Sequence, residues 1–579
     1  MNAELLLAHF DRIGDAPDAV PRLRQFVLEL AVRGKLLGRD SDDEPASASL
    51  KRIQADIAKR VKAGEIKARC PSQHVDSGEV QFDIPREWCW TRLGALAEIV
   101  MGQSPPGSSY NKSGEGIPLI NGPVEFSEGP FGTTSVNQYT TEPTNLCEQG
   151  DLLLCVRGST TGRTNIAGQR ACIGRGVAAI RSLFADGFVR LYIWRHRASI
   201  IAMGRGIAFP SISRQQIENL PMPFPSLAEQ HRIVAMVDEL MALCDRLEAA
   251  QRERENRRDR LAASTHHHLN NGADAEALRS HAKFFIGHLS RITTSPSQIK
   301  QLRQTILNLA VRGQLVPQSS NTESALDLLR QIRKEKQDLL DRSILRKVEP
   351  SDLLSASTIP FAIPASWAAT TLRTVCLSVT DGDHLPPPKA GTGVPFLVIG
   401  NVRDKTIRFE NSRHVTEEYY ASLDSIRRPQ SGDILYTLVG SYGIPVHVVD
   451  DRRFCVQRHI GILRPCKHVD RRFLGRILET SFVFEQATNC ATGIAQKTVP
   501  LAGLRKMRIP LPPLAEQQRI VAKVDELMAL CDQLESRLTT AQTEGARLLE
   551  SVLHHSLQTP AQIKHDPVTP AAEGREPCC

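Results

Sequence analysis

The feature that most constrains this chain is a nearly literal internal repeat. The segment from Leu227 to Asp245 returns between Leu514 and Asp532, at an offset of 287 residues, with only two positions changed. Self-similarity on this scale is the signature of a duplicated architecture, in which both copies fold by the same rules. The 579 residues are also too many for one hydrophobic core. The chain is therefore predicted to contain two related halves.

Further matches lie upstream of each copy, at a slightly smaller offset. Leu30–Gly34 matches Leu309–Gly313 at 279 residues, and Trp88 matches Trp367 at the same offset. Because the offset grows from 279 to 287 along the chain, a few residues must be inserted inside the second copy. Each half reads as a helix, a variable globular domain and a second helix.

Each long repeated segment is predicted to form a helix with a narrow apolar seam. Apolar residues recur at alternating spacings of four and three, the pattern that lets two helices supercoil. A seam this narrow needs a partner, and the other long helix is the expected one; a core helix in an ordinary bundle is the alternative. Two charged segments, 50–67 and 325–346, are also helical by pattern. The predicted seam residues are Ile233, Val237, Leu240, Cys244, Leu247, Ile520, Val524, Leu527, Cys531, Leu534 and Leu538.

Between the helices, short apolar runs alternate with Gly, Pro and Ser, which is typical of short strands and turns. We therefore predict an α+β fold, with two mixed α/β domains joined and spaced by two long helical regions in an internal pseudo-twofold repeat. The predicted parts are an N-terminal helical region (1–80), a first variable domain (81–225), a central helical region (226–358), a second variable domain (359–512), a C-terminal helix (513–558) and a disordered tail (559–579).

Composition excludes several classes of protein. No apolar run approaches the roughly eighteen residues needed to cross a bilayer, and the N-terminus lacks the cleavage site of a secretory signal. The thirteen cysteines are scattered without a Cys-x-x-Cys pair, which favours reduced thiols in a cytoplasmic protein. A formal net charge of +8 permits a polyanionic partner without requiring one.

Motifs that would indicate catalysis are incomplete. Gly102–Ser109 has the glycine spacing of a phosphate-binding loop but lacks its lysine. The Asn/Asp-Pro-Pro-Tyr/Phe string of an amino-methyltransferase does not occur. The histidine run His266–His268 has no cysteine or acid cluster beside it, so we interpret it as a solvated helix end. We predict no catalytic residue, no metal site and no bound cofactor.

Two helix–variable domain–helix halves closely resemble the specificity subunit of type I restriction–modification enzymes. The segment Pro513–Val521 fits the hallmark of that family, and the first copy departs from it only at Ser226, where the family has proline. Met101–Pro106 and Thr380–His384 also look like segments that recur in the family. The resemblance covers nearly the whole chain, except the tail after about residue 558.

The resemblance implies a division of labour. Each variable domain would be a target-recognition domain that reads one half of a bipartite, asymmetric site in double-stranded DNA. The long helices would pair as an antiparallel coiled coil, hold the domains apart and dock two DNA adenine methyltransferase (modification) subunits. Restriction/translocase subunits would join through them. S-adenosylmethionine, ATP and magnesium would then bind to the partner subunits only, and this chain would not be an enzyme.

DNA contacts are expected from basic and polar side chains on the loops of both variable domains. In the first domain the candidates are Arg157, Ser159, Arg163, Asn165, Arg175, Arg205 and Ser211, and in the second they are Asn401, Arg403, Ser441, Tyr442, Arg458, Gln496 and Lys497. Arg175 aligns with Arg458, and residues shared by two different readers should serve the fold or the phosphates. Arg157 aligns with Val439, which makes Arg157 the better candidate for base reading.

Three other functions are compatible with the sequence. A specificity module of a type IIB-like restriction system would serve a single partner chain that cuts and methylates. A stand-alone repressor would bind its operator without partners. An enzyme of an unfamiliar type is disfavoured because the usual motifs are missing.

Overall fold

The computed structural model of the chain divides into two units. Unit 1 comprises Met1–Glu253 and Ala541–Cys579, and unit 2 comprises Arg254–Thr540. The predicted tail over 559–579 lies outside the described residues. The structure describes residues 14, 16, 18–38, 40, 42–64, 74–80, 82–129, 131–184, 187–204, 211–271, 275–318, 324–345, 352–384, 387–388, 390–494 and 496–558.

Helices form the scaffold of both units. In chain order they are α1 (Ala19–Val32), α2 (Ala46–Lys62), α3 (Leu93–Leu96), α4 (Gly187–Arg195), α5 (Arg197–Ala202), α6 (Arg214–Glu218), α7 (Leu227–Asn271), α8 (Ala275–Gly287), α9 (Leu289–Ile292), α10 (Pro296–Val311), α11 (Ala325–Asp341), α12 (Leu372–Val375), α13 (Glu417–Ser422), α14 (Arg471–Leu478), α15 (Ser481–Cys490), α16 (Leu501–Arg505) and α17 (Leu514–Gln558). The two long helices, α7 and α17, have 45 residues each. At about 1.5 Å per residue each is roughly 67 Å long. The helices predicted over 50–67 and 325–346 are present as α2 and α11.

Short strands build the variable domains. They are β1 (Cys89–Arg92), β2 (Ala97–Met101), β3 (Tyr110–Asn111), β4 (Ile117–Ile120), β5 (Tyr139–Thr140), β6 (Leu146–Cys147), β7 (Leu152–Cys155), β8 (Thr164–Ile166), β9 (Ala171–Ile173), β10 (Val177–Ser182), β11 (Pro221–Phe224), β12 (Ala368–Thr371), β13 (Cys376–Asp381), β14 (Val394–Leu397), β15 (Val402–Arg403), β16 (Thr406–Ile407), β17 (Arg413–Val415), β18 (Ile434–Thr437), β19 (Pro445–His447), β20 (Cys455–Val456), β21 (Ile460–Pro465) and β22 (Arg508–Leu511). The mixture of helix and sheet agrees with the predicted α+β class.

The two units share one sheet topology. In unit 1 an antiparallel sheet has the order β2-β10-β7-β8, and in unit 2 the order is β13-β21-β18-β19. A second sheet pairs β4 with β9 in parallel in unit 1, and β14 with β20 in unit 2. The first and last strands of each domain pair as well, β1 with β11 and β12 with β22. The duplication seen in the sequence is therefore also a duplication of fold.

The glycines of the Met101–Pro106 and Thr380–His384 segments allow the sheets to approach each other closely. A Cβ atom on Gly102 would lie 2.2 Å from the carbonyl oxygen of Gly174, and one on Gly382 would lie 1.9 Å from that of Val456. No side chain fits against backbone at these distances. Gly102 and Gly382, which lie in the segments that resemble the family, are thus required by packing.

The Leu-Ala-Glu-Gln repeat attaches each long helix to its variable domain. In unit 1 the carboxylate of Glu229 accepts a hydrogen bond from the indole of Trp88 at 2.8 Å, and both side chains are buried. In unit 2 the amide of Gln517 accepts from the backbone of Asp470 at 2.8 Å. Ser226, where the family has proline, caps α7 by accepting from the backbone of Glu229 at 3.1 Å. The hallmark of the family therefore has a structural role here.

The helix that precedes each variable domain provides a partner for each seam. In unit 1, Ile233 and Val237 share a hydrophobic core with α1, and Arg24 of α1 forms ion pairs with Asp245 and Glu248 at 2.5 and 2.7 Å. The helix before the variable domain therefore covers this part of the seam, and the expected pairing with the other long helix stays a prediction. Periodicity identifies an apolar face but does not identify which helix covers it.

Unit 2 repeats the arrangement with α10 in place of α1. Ile520, Val524 and Cys531 of α17 belong to the core that contains α10. Arg303 of α10 forms ion pairs with Asp532 and Glu535 at 2.7 and 2.8 Å. The remaining predicted seam residues, Leu240, Leu247, Leu527, Leu534 and Leu538, are half-buried, and Cys244 is buried.

One sequence interpretation of the histidine run is wrong. His266 is buried, with its ring beside Phe285 and its Nδ1 atom 3.0 Å from the hydroxyl of Thr305. His267 and His268 are exposed, as expected. Burial lowers the pKa of His266, which favours the neutral imidazole. No described helix is long and apolar enough to span a membrane.

Candidate nucleic-acid interface

In unit 1 the candidate residues gather around the loop between β7 and β8. Arg157, Ser159 and Arg163 are exposed on this loop. Gly158 and Gly162 both have φ +83°, which the tight reversal of the chain requires. The loop closes through a hydrogen bond from the amide of Cys155 to the carbonyl of Arg163 at 2.8 Å. A short, internally bonded loop holds its three polar side chains in a defined arrangement.

Two neighbouring segments complete this surface. Arg157 forms a backbone bridge with Ser211. The amide of Val156 donates to the carbonyl of Gly176 at 2.9 Å, which brings in the turn that carries Arg175. Arg157, Arg175 and Ser211 consequently line one open cleft of about 750 Å³. This cleft, with the adjoining loop 156–163, is called face 1 below.

The arginines of unit 1 separate into two classes. The guanidinium of Arg181 is held between Asp151 at 2.8 Å and Glu98 at 3.3 Å, so its charge stabilises the sheet. By contrast, Arg157, Arg163 and Arg175 have no ion-pair partner among the residues that the structure describes. Exposed, unpaired guanidinium groups on one surface are suited to binding phosphate oxygens.

Two candidates of the first domain do not extend this surface. Asn165 is fully buried, and its amide nitrogen donates to the carbonyls of Ser127 and Gly129 at 3.3 and 3.5 Å. It positions a loop and cannot reach a base edge, so the expectation for Asn165 is corrected. Arg205 lies outside the described residues.

In unit 2 four candidates come together at the equivalent position. Ser441 and Tyr442 lie on the loop between β18 and β19, and the amide of Gly440 donates to the carbonyl of Lys497 at 3.1 Å. Gln496 and Lys497 therefore lie beside that loop, and both are exposed. Residues 438–444 and 496–498, together with the turn at Arg458, are called face 2 below.

Tyr442 is held rigidly in face 2. Its ring stacks on Phe484 with 5.6 Å between centroids and 10° between planes. Its hydroxyl donates to the hydroxyl of Thr488 at 3.1 Å. Arg458 is exposed on the turn between β20 and β21, beside His459, whose pKa is lowered by burial and by the charge of Arg458. A fixed aromatic ring beside exposed, positively charged side chains is a suitable surface for binding nucleic acid.

The other two candidates of the second domain lie on a separate hairpin. Asn401 is buried, accepting from the amide of Val398 at 3.0 Å and donating to the carbonyl of Arg408 at 3.1 Å. Its amide stabilises the turn, so the expectation of a base contact is corrected for this residue too. Arg403 is exposed on the hairpin of β15 and β16, whose second strand packs against β19.

One residue beside face 1 had no signal in the sequence. Arg197, at the start of α5, is exposed and packs beside Gly162 of face 1. It could not be found by motif or by alignment of the halves, because only tertiary packing brings it to the loop. His384, at the end of the Thr380–His384 segment, lies 3.0 Å from the carboxylate of Asp381.

The described residues carry no feature of a metal or thiol site. No group of three or more His, Cys, Asp or Glu side chains in the described parts of the chain could hold a metal ion. Eight of the ten described cysteines are buried, and burial raises the pKa of the Cys155 thiol to about 11. Thiols of this kind are poor nucleophiles and poor metal ligands.

Comparison with known proteins gives the family. The family model for the type I restriction modification DNA specificity domain matches residues 85–255 and 388–541. These matches cover more than half of the chain and fall on both units. The chain belongs to this family of type I specificity subunits, and the resemblance identified from the sequence is confirmed.

Relatives extend the similarity over most of the length. The chain is 27% identical over 553 residues to the specificity subunit of type I restriction enzyme EcoAI from Escherichia coli, covering 92% of this chain and 93% of that protein. It is 26% identical over 577 residues to the EcoEI specificity subunit from Escherichia coli, covering 93% and 94%. A structure solved to explain complex assembly and conformational transition of the type I R-M system is 18% identical, with a TM-score of 0.49, covering 82% of this chain and 99% of that one.

Proposed function

We propose that face 1 and face 2 each read one half of a bipartite, asymmetric site in double-stranded DNA, and that the chain itself performs no catalysis. The observation that carries this proposal is that corresponding loops of one fold bear different exposed side chains. Arg157 of face 1 is exposed, whereas the corresponding Val439 of face 2 is buried, so the two loops present different side chains. Two copies of one scaffold with different loop chemistry are what two readers of different sequences require.

The shared and the divergent residues of the two faces have different roles in this proposal. Arg175 and Arg458 occupy equivalent exposed turns, so they contact phosphates, which carry no sequence information. Arg157, Tyr442 and Lys497 differ between the copies and contact base edges, where hydrogen-bond patterns distinguish the base pairs. Base contacts of this type contribute about 1–3 kcal/mol of discrimination each.

The long helices set the distance between the two half-sites. In the proposed arrangement α7 and α17 form an antiparallel pair about a pseudo-twofold axis, and two readers one helical turn of DNA apart are separated by about 34 Å. Helices of 45 residues are long enough for this purpose and stiffer than a flexible linker. The same helices dock two adenine methyltransferase subunits, and restriction subunits join through these. S-adenosylmethionine, ATP and magnesium bind to the partners.

Methylation mapping tests the proposal. The chain is coexpressed with its modification subunit in a host that lacks adenine methylation, and N6-methyladenine is located by sequencing. One split motif is expected, with a fixed spacer between two short elements. A short continuous motif, or methylation that persists without this chain, would contradict the two-reader proposal and favour the repressor.

Single substitutions then assign each face to a half-site. Arg157→Ala should relax or abolish recognition in one half only, and Lys497→Ala in the other half only. The matched controls are Arg170→Ala and Arg453→Ala, because both side chains are exposed but paired, with Glu148 at 3.3 Å and Glu417 at 2.9 Å. Loss of both halves in either test variant would contradict the assignment of one half to each face.

A further inference from the structure

The last turns of each long helix dock on the helical bundle of one unit, which contains α1 in unit 1 and α10 in unit 2. The two docking sites differ in polarity. In unit 1 the end of α17 presents Leu553 and Leu557 to the core that contains Phe26 of α1. Leu553 also packs against the small cluster that contains Ala19 and Leu549. The side chains of Leu553 and Leu557 pack against apolar groups, and the polar contacts of this segment go to backbone carbonyls, from Lys35 to Leu557 and from Arg22 to Ala546.

The corresponding site of unit 2 contains a buried polar cluster. His266 and Asn270 lie on the last turns of α7, and Thr305 lies on α10. The Thr305 hydroxyl is 3.0 Å from Nδ1 of His266 and accepts from the amide of Asn270 at 3.4 Å. Thr305 is 1% exposed and His266 is 5% exposed. Nδ1 of His266 and the amide nitrogen of Asn270 therefore share the Thr305 hydroxyl away from bulk water, while Nε2 of His266 and Oδ1 of Asn270 are buried without a hydrogen-bond partner among the described residues.

The repeat places these two sets at the same positions. At the offset of 287, His266 corresponds to Leu553 and Asn270 to Leu557. At the offset of 279, Thr305 corresponds to Phe26. All three positions are polar in unit 2 and apolar in unit 1.

A second pair of positions shows the same difference in polarity between the two units. In unit 2 the amide of Gln298, which is 2% exposed, donates to the carboxylate of Asp259 at 2.8 Å. The corresponding residues of unit 1 are Ala19 and Ala546. This contact lies about two helical turns from Thr305 along α10, so the difference in polarity extends along the docking site.

We propose that this matched polarity determines which long-helix end docks on which bundle. A duplicated chain has two similar ends and two similar sites, so correct pairing needs a feature that separates them. Placing His266 and Asn270 against Phe26 would remove the hydrogen bonds that both side chains make to Thr305, and placing Leu553 against Thr305 would leave the threonine hydroxyl without them. Buried polar groups are costly when unpaired, and single buried polar residues specify helix pairing elsewhere.

The proposal concerns pairing within the chain and is independent of what the two faces bind. Its consequence is that the chain closes on itself in a single way. Without the difference in polarity, each bundle would accept either end, and ends from separate chains could exchange. Two chains would then become intertwined during folding, as in domain swapping.

A cycle of substitutions in the full chain tests the match. One variant carries Thr305→Phe, a second carries His266→Leu with Asn270→Leu, and a third combines all three changes to reproduce the apolar site of unit 1. The first two should each lower the thermal midpoint by several degrees, since about 1 kcal/mol shifts it by roughly 2–4 °C in domains of this size. The combined variant should recover most of that loss, because its polarity is matched again.

Refolding from denaturant gives the second readout. The combined variant should recover as a mixture of monomer and dimer in size-exclusion chromatography with light scattering, because both sites then accept both ends and the ends of separate chains can exchange. Ala263→Leu with Ser264→Leu, on the exposed face of the same helix, is the matched control and should refold as monomer. The proposal is overturned if the shifts of the two mismatched variants simply add, or if the combined variant refolds to monomer as fully as the unmodified chain.

Discussion

The ion pair between Arg464 and Asp433 should be among the most sensitive positions of unit 2. Asp433 precedes β18 and is 1% exposed, and Arg464 lies on the neighbouring strand β21. The guanidinium donates to both carboxylate oxygens at 3.0 and 2.9 Å and to the carbonyl of Arg428 at 3.0 Å. Arg464→Met keeps most of the side-chain volume and removes all three hydrogen bonds.

The expected loss of stability follows from the carboxylate that remains buried after the substitution. The substitution leaves a carboxylate buried without its counter-ion, and breaking a buried pair in this way costs about 3–5 kcal/mol. Adding Asp433→Asn removes the uncompensated charge, so the double variant should recover a large part of the loss. Arg403→Met applies the same change at an exposed arginine, where about 0.5 kcal/mol or less is expected.

Hydrogen exchange followed by mass spectrometry resolves the effect by unit. Amides of β18 and β21 that exchange through unfolding of unit 2 should exchange faster by about a hundredfold to several thousandfold, because each 1.4 kcal/mol is a factor of ten. The equivalent strands β7 and β10 of unit 1 act as the internal reference and should not change. An effect of Arg464→Met no larger than that of Arg403→Met would refute the reasoning.

Three further predictions concern unit 1. Burial lowers the pKa of His196 to about 4 from 6.5. The unfolded chain therefore binds a proton at this residue first, so the stability of the folded chain falls as the pH drops from about 6.5 to 4, and the loss approaches about 3 kcal/mol. His196→Phe should flatten this part of a plot of the urea midpoint against pH. Gly102→Ala should lower the thermal midpoint by several degrees, because the new Cβ would lie 2.2 Å from the Gly174 carbonyl oxygen. Glu229→Ala should cost about 1–3 kcal/mol in urea unfolding by leaving the buried Trp88 indole without an acceptor, whereas Glu229→Gln should restore most of the loss.

The sequence was sufficient to predict the structural features that depend on local residue patterns. The spacing of Ile233 and Val237 specifies a helical face, and the duplicated Leu-Ala-Glu-Gln segments specify that the fold occurs twice. Short apolar runs such as Leu152–Cys155 are correctly predicted as strands. These features need only the residues of one segment, because backbone geometry and side-chain alternation determine them.

Features that depend on tertiary packing could not be predicted. Asn165 and Asn401 have the side chains of base readers, yet both are buried and bonded to backbone groups. His266 belongs to a run that reads as solvated, but Thr305, nearly forty residues away, provides its partner. Arg197 lies beside face 1 only because α5 packs there. The role of a polar residue depends on the partner that the fold places beside it, and the spacing of residues along the chain does not specify that partner.

The most direct test of the central claim is the affinity of the assembled methyltransferase complex for duplexes in which one part of the mapped target is changed at a time. Changing either half-site should weaken binding by roughly fivefold to 150-fold per altered base pair, at about 1–3 kcal/mol each. Changing the bases of the spacer should have little effect, whereas lengthening the spacer should reduce binding strongly. Full affinity for a duplex that retains only one half-site would contradict the account.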